Sequence, residues 1–122
     1  MSKKTIIVGA SRAKNRYAYS AMVWLNEQGH ETVLLGLRED EVEGRKIFDI
    51  HGKPGVDQVH TITLYINPQR QVDWYDYLLS LRPKRLIFNP GTENQEFMEM
   101  AKERGIEVLE ACTLVMLRTG QY

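Results

Sequence analysis

The sequence predicts a three-layer α/β sandwich on a mostly parallel sheet, and three observations carry that prediction. Short apolar runs alternate with amphipathic helical stretches along the whole chain. The runs are rich in β-branched residues and suit strands buried on both faces. Turns of small or capping residues join strands to the helices that follow, and right-handed crossovers then make the sheet parallel.

The elements follow in order. Thr5, Ile6, Ile7 and Val8 form the first strand, closed by Gly9, Ala10 and Ser11. A basic loop with Arg12, Lys14 and Arg16 precedes a helical pattern that begins near Tyr17. Ala18, Ala21, Met22 and Leu25 share one stripe of that helix, and Gly29 stands where a left-handed C-terminal cap belongs. Glu31 to Leu35 reads as the second strand. The charged stretch Arg38 to Gly44 is expected to give at most one helical turn. The next, Gly44 to Asp57, holds three glycines and a proline and is expected to be irregular.

His60 to Ile66 is the third strand, followed by Asn67 as a helix cap and Pro68 at the first helical position. Val72, Tyr75, Leu78 and Leu79 make the buried stripe of that helix, which Pro83 stops. Arg85 to Phe88 is the fourth strand. Thr92 and Gln95 make a capping-box pattern for a helix that Gly105 ends, and Ile106 to Leu109 is the fifth strand. The apolar stretch Thr113 to Leu117 reads equally as a terminal strand or a short helix. Of the two common doubly wound orders, 3-2-1-4-5 and 2-1-3-4-5, the first is expected here. It makes the first and fourth strands neighbours, so that the Gly9 turn faces the Asn89-Pro90-Gly91-Thr92 turn across a Rossmann-type crevice.

At 122 residues the chain, 1–122, is read as a single domain. Sixteen cations balance sixteen anions, which leaves no global field for nucleic acid, so any anion site must be local. One cysteine, Cys112, excludes an internal disulfide and a multi-thiolate zinc site. The start runs straight into a strand, and no apolar run approaches the ~20 residues of a membrane span. A soluble, cytoplasmic protein is expected.

The first turn is the most informative feature. Small residues between a buried strand and a helix N-terminus let backbone N–H groups approach a phosphate, and Arg12, Lys14 and Arg16 add charge. The full glycine fingerprint of dinucleotide sites is absent. The second strand ends in Leu35-Gly36-Leu37-Arg38, where NAD sites place an acid for the ribose hydroxyls. Arg38 would instead attract a ribose phosphate, as in NADP or coenzyme A, unless it is simply a solvated strand end.

The residues Val8-Gly9-Ala10-Ser11, Asn15-Arg16, Tyr19-Ser20, Gly44-Arg45-Lys46, Leu64 to Pro68, Glu93-Asn94, Gly105 to Val108 and Cys112 together resemble the single-domain coenzyme A-binding proteins. These are relatives of the N-terminal CoA domain of the succinyl-CoA synthetase alpha subunit. The resemblance implies that Gly9 to Lys14 meets the CoA phosphates, with Arg16 and Tyr19 beside it. It puts Arg38 at a further phosphate contact, and Asn89 and Pro90, with Gly91, on the turn closing the crevice. It departs at Gly36-Leu37, where the family commonly has Asn-Pro. The synthetase's phosphorylated histidine lies in a second domain absent from this sequence.

Other chemistries find little support. His30, His51 and His60 lack metal-ligand spacing, no G-x-S-x-G elbow surrounds Ser11, and Cys112 reads as a small buried hydrophobe. Gly9 and Asn67 stand at strand ends where a phospho-receiver domain needs acids. Trp24 and Trp74 are expected to cover sheet faces, while Tyr77 is a candidate for a self-association surface such as a homodimer. The expectation is therefore a module that binds CoA or acyl-CoA, with no catalytic residues and no metal. The rivals are an NADP-dependent oxidoreductase and an interaction module with a vestigial crevice.

Overall fold

The computed structural model describes residues 2–122. Seven strands form one sheet: β1 (Thr5–Val8), β2 (Thr32–Gly36), β3 (Asp40–Val42), β4 (Arg45–Asp49), β5 (Thr61–Leu64), β6 (Arg85–Phe88) and β7 (Glu107–Glu110). The helices are α1 (Tyr17–Glu27), α2 (Pro68–Gln71), α3 (Tyr75–Ser80), α4 (Gln95–Glu103) and α5 (Thr113–Arg118). The terminal apolar stretch is thus helical.

The strand order is β3-β4-β2-β1-β5-β6-β7, parallel throughout except for β3 against β4. This corrects the expected five-stranded sheet with order 3-2-1-4-5. The stretch expected to be irregular holds β4, and the charged one before it holds β3. Val42 pairs with Arg45 across a two-residue loop in which Glu43 (φ 51°) and Gly44 (φ 74°) are both left-handed, the geometry of a type I′ hairpin. Among the parallel strands alone, β4-β2-β1-β5-β6-β7, β4 is third in the chain and β5 fourth, so the neighbour of β1 is β5 and not the Arg85–Phe88 strand. The doubly wound order survives because the missed strand takes third place.

Alternation of side chains explains the three layers. Ile6, Val8, Ile62, Leu64, Leu86 and Phe88 point to one face, where Trp74, Leu78, Phe97 and Ala101 cover them. Ile7, Leu34, Ile47 and Ile87 point to the other, beneath Ala18, Ala21, Met22 and Leu25 of α1 and Met116 and Leu117 of α5. Trp24 packs partly buried on this second face. Tyr77 is only 8% exposed and donates its hydroxyl to the Pro54 carbonyl at 2.6 Å, so it does not mark a self-association surface. The cap of α4 is Asn94, whose side chain accepts from the Phe97 amide. Thr92 is not that cap; its hydroxyl donates to the Asn89 carbonyl at 2.8 Å.

Candidate functional site

The winding reverses between β1 and β5, and open α/β sheets hold ligands beyond the carboxyl ends of their strands at such a point. A cavity of about 760 Å³ lies there. Gly9, Ala10 and Ser11 line it from the end of β1, and Leu37, Arg38 and Asp40 from beyond β2. Tyr65, Ile66, Asn67 and Arg70 line it from the β5–α2 connection, and Pro90, Gly91 and Thr92 from beyond β6. Arg16, Tyr17 and Ala18 contribute the start of α1.

Gly9 makes the first turn possible. Its φ is +93°, and a Cβ there would lie 2.9 Å from Ile66 Cγ2 and 3.0 Å from the Tyr65 carbonyl oxygen. Glycine alone meets both demands. The same closeness means that a side chain at position 9 strains the packing of β1 on β5 as well as the crevice. Ser11 Oγ accepts from the Ala13 amide at 3.0 Å and braces the loop. No side chain caps α1, no acid occupies its first turn, and the amides of Tyr17 and Ala18 have no acceptor among the described residues. Those N–H groups and the helix dipole face an approaching anion.

The charges around the cavity are strongly unequal. Arg16, Arg38 and Arg70 line it, and none has a carboxylate within ion-pair reach among the described residues. Among the described residues Asp40 is the one carboxylate on its wall, and it sits 3.6 Å from Arg12. The Tyr65 pKa is pushed up to about 12 by burial, so it stays a neutral phenol; its hydroxyl oxygen is buried with no hydrogen-bond partner among the described residues.

Seven of the residues expected from the sequence line the cavity: Gly9, Ala10, Ser11, Arg16, Arg38, Pro90 and Gly91. Arg12 and Lys14 are exposed on the same loop but off its wall. Tyr19 lies on the hairpin side of α1, where its hydroxyl donates to Glu43 at 2.9 Å; that bond chiefly raises its pKa. Asn89 is 2% exposed, and its side chain is committed elsewhere. It donates to Thr63 Oγ1 (2.6 Å) and the Leu64 carbonyl (2.8 Å) and accepts from the Thr113 amide (2.9 Å), tying β5, β6 and α5 together.

Tyr65, Asn67 and Arg70 belong to the site and were not foreseen as part of it. The Asn67-Pro68 helix start is plain in the sequence, but its place beside the Gly9 turn follows only once β5 is known to flank β1. A buried amide sets the distance between two rims. Gln71, fully buried, donates through Nε2 to the carbonyls of Ile66 (2.9 Å) and Thr92 (2.8 Å) and accepts from Asn94 (2.9 Å).

Uncapped amides, unpaired guanidinium groups and small residues at a switch point define a domain of the doubly wound class whose crevice has the chemistry that suits a phosphate group. The sequence matches the CoA binding domain family over residues 3–118, and the chain belongs to that family. No curated protein matches it. An uncharacterised protein of known crystal structure is 50% identical, with a TM-score of 0.96 over 100% of this chain and 99% of its own. A hypothetical protein from Pyrococcus horikoshii OT3 is 25% identical, with a TM-score of 0.84 over 97% and 83%. A protein from Thermus thermophilus, 22% identical, shares the fold at a TM-score of 0.83 over 99% and 91%. Among the described residues no helix is long and apolar enough to cross a membrane.

Proposed function

We propose that the chain is a cytoplasmic module that binds coenzyme A or an acyl-CoA and performs no chemistry on it. The observation that carries this reading is the set of three unpaired arginines on one crevice, Arg16, Arg38 and Arg70, together with the free amides that open α1. CoA carries two separated phosphate groups, a diphosphate and a ribose phosphate. The diphosphate belongs at the Gly9 turn and the α1 terminus, the ribose phosphate at Arg38 beyond β2.

The absence of turnover rests on the lining residues. Acyl or phosphoryl transfer needs a nucleophile with a base in hydrogen-bond reach. Ser11 is the hydroxyl of the Gly9 turn, and it serves the loop by accepting from Ala13. Among the described residues neither histidine nor cysteine lines the cavity.

Calorimetry with CoA, dephospho-CoA, NADP and NAD tests the reading. CoA is expected to bind tightest, with dephospho-CoA weaker by about tenfold for the loss of one charge-assisted contact. Equal affinity for those two removes Arg38 from the ribose phosphate. NADP tighter than CoA moves the reading to an oxidoreductase. Thiol release from acetyl-CoA or succinyl-CoA above background would overturn the non-catalytic part.

A further inference from the structure

The Arg12–Asp40 pair stands at the edge of the crevice. Arg12 sits on the phosphate-binding loop, yet its guanidinium turns to Asp40, on the short strand β3 that follows the end of β2. The contact is loose. Nη1 and Oδ1 are 3.6 Å apart, and the Arg12 side chain is 71% exposed. An exposed pair of that geometry contributes little to stability and exchanges readily. It nevertheless places negative charge on the wall of a cavity whose other charged groups are the three unpaired arginines.

We infer that Asp40 sets the affinity of the crevice: its carboxylate holds Arg12 in the role that a ligand phosphate would take, and binding exchanges one anion for the other. The inference rests on the CoA-binding reading and deepens it. Asp40 weakens binding twice, by repelling the incoming phosphate and by occupying a cation that would serve it. Tight capture becomes reversible loading.

The geometry also makes the residue easy to change. Asp40 Oδ1 accepts from the Glu41 amide at 2.8 Å, a role asparagine keeps. The hairpin is held independently by the Tyr19–Glu43 hydrogen bond and by backbone pairing of Asp40 with Ile47. Asp40→Asn therefore removes charge with little disturbance of shape. Glu41→Gln, on the same strand but exposed and off the cavity wall, removes the same charge as a control.

The test is titration of CoA into the wild type, Asp40→Asn, Glu41→Gln, Arg12→Ala and the Arg12→Ala/Asp40→Asn double variant, at low and high salt. Asp40→Asn should bind about three- to tenfold tighter than the wild type at low salt, Glu41→Gln should match the wild type, and the gain should shrink to less than half without Arg12. Affinity unchanged or weakened in Asp40→Asn overturns the inference, as does an equal gain in Glu41→Gln or a gain that persists in full without Arg12. A wild type that binds no CoA refutes the binding reading itself, and this inference with it. Since tighter binding is the predicted outcome, misfolding cannot imitate it.

Discussion

The two ends of the sheet treat their polar groups in opposite ways. At the amino end, Thr32, Thr5, Thr61 and Arg85 stand in register on four adjacent strands, and all four are buried. Their hydrogen-bonding capacity is turned inward. Arg45 holds the hydroxyl and the carbonyl of Thr32, Tyr122 shares a short bond with Thr5, and Arg85 Nε donates to Thr61 Oγ1 at 2.6 Å. The Arg85 guanidinium lies 4.3 Å from the centre of the Tyr122 ring, so a cation–π contact takes the place of a carboxylate. At the carboxyl end the arginines face outward and a helix begins without a cap. One end holds strands together, the other is the one to which we assign the anion. A cation in this fold is assigned to structure or to binding by which end of its strand it follows.

Asn89 offers the severest test, because it lies at the binding end and is built like the other. Asn89→Leu leaves the Leu64 carbonyl and the Thr113 amide buried without partners and should cost about 3 kcal/mol of stability. Urea denaturation measures it, and a loss under about 1 kcal/mol would blur the distinction. Arg85→Ala should cost about 2 kcal/mol through lost packing on Tyr122 and the loss of its hydrogen bond to the Thr61 hydroxyl. Calorimetry should find its CoA affinity unchanged. Arg38→Ala should show the reverse, a loss of about 1 kcal/mol in CoA binding at constant stability. A fall in its melting temperature would place Arg38 with the structural arginines.

The smallest effect concerns acid. His30 and His60 both sit at the amino end with pKa values lowered from 6.5, mainly by burial and then by neighbouring cations, Lys3 first for His30 and Arg85 first for His60. Unfolded, they take up protons more readily than folded. Stability should therefore hold above pH 6.5 and fall as the pH drops below it. Thermal melts of the wild type and of His30→Gln/His60→Gln across that range check the sign, for the double variant should lose the slope that belongs to these two residues.

Most of this architecture is legible in the residues. Runs such as Thr5-Ile6-Ile7-Val8 are apolar on both faces because both faces are covered, and a strand so placed has no disguise. The β3–β4 hairpin escapes notice for the opposite reason. Arg45, Lys46 and Asp49 give β4 the look of a solvated loop, and Glu43-Gly44 lacks the asparagine or aspartate that usually signals such a turn. That one omission shifts the neighbour of β1 and hides Arg70. Asn89 deceives differently. Its position after a strand suggested a ligand contact, but only the structure reveals that Thr63, Leu64 and Thr113 already claim its amide.

The hairpin has a bearing on solubility too. A sheet of seven strands ends in two open edges, each a template on which another chain can add a strand. Here one edge is the three-residue β3, with Asp40 and Glu41, and the other is β7, with Glu107 and Glu110 exposed at its ends. Two copies meeting edge to edge would bring carboxylates against carboxylates, and a strand as short as β3 has few backbone bonds to offer in return. The fold thereby discourages its own polymerisation, and Glu41→Val or Glu107→Val should be where aggregation begins.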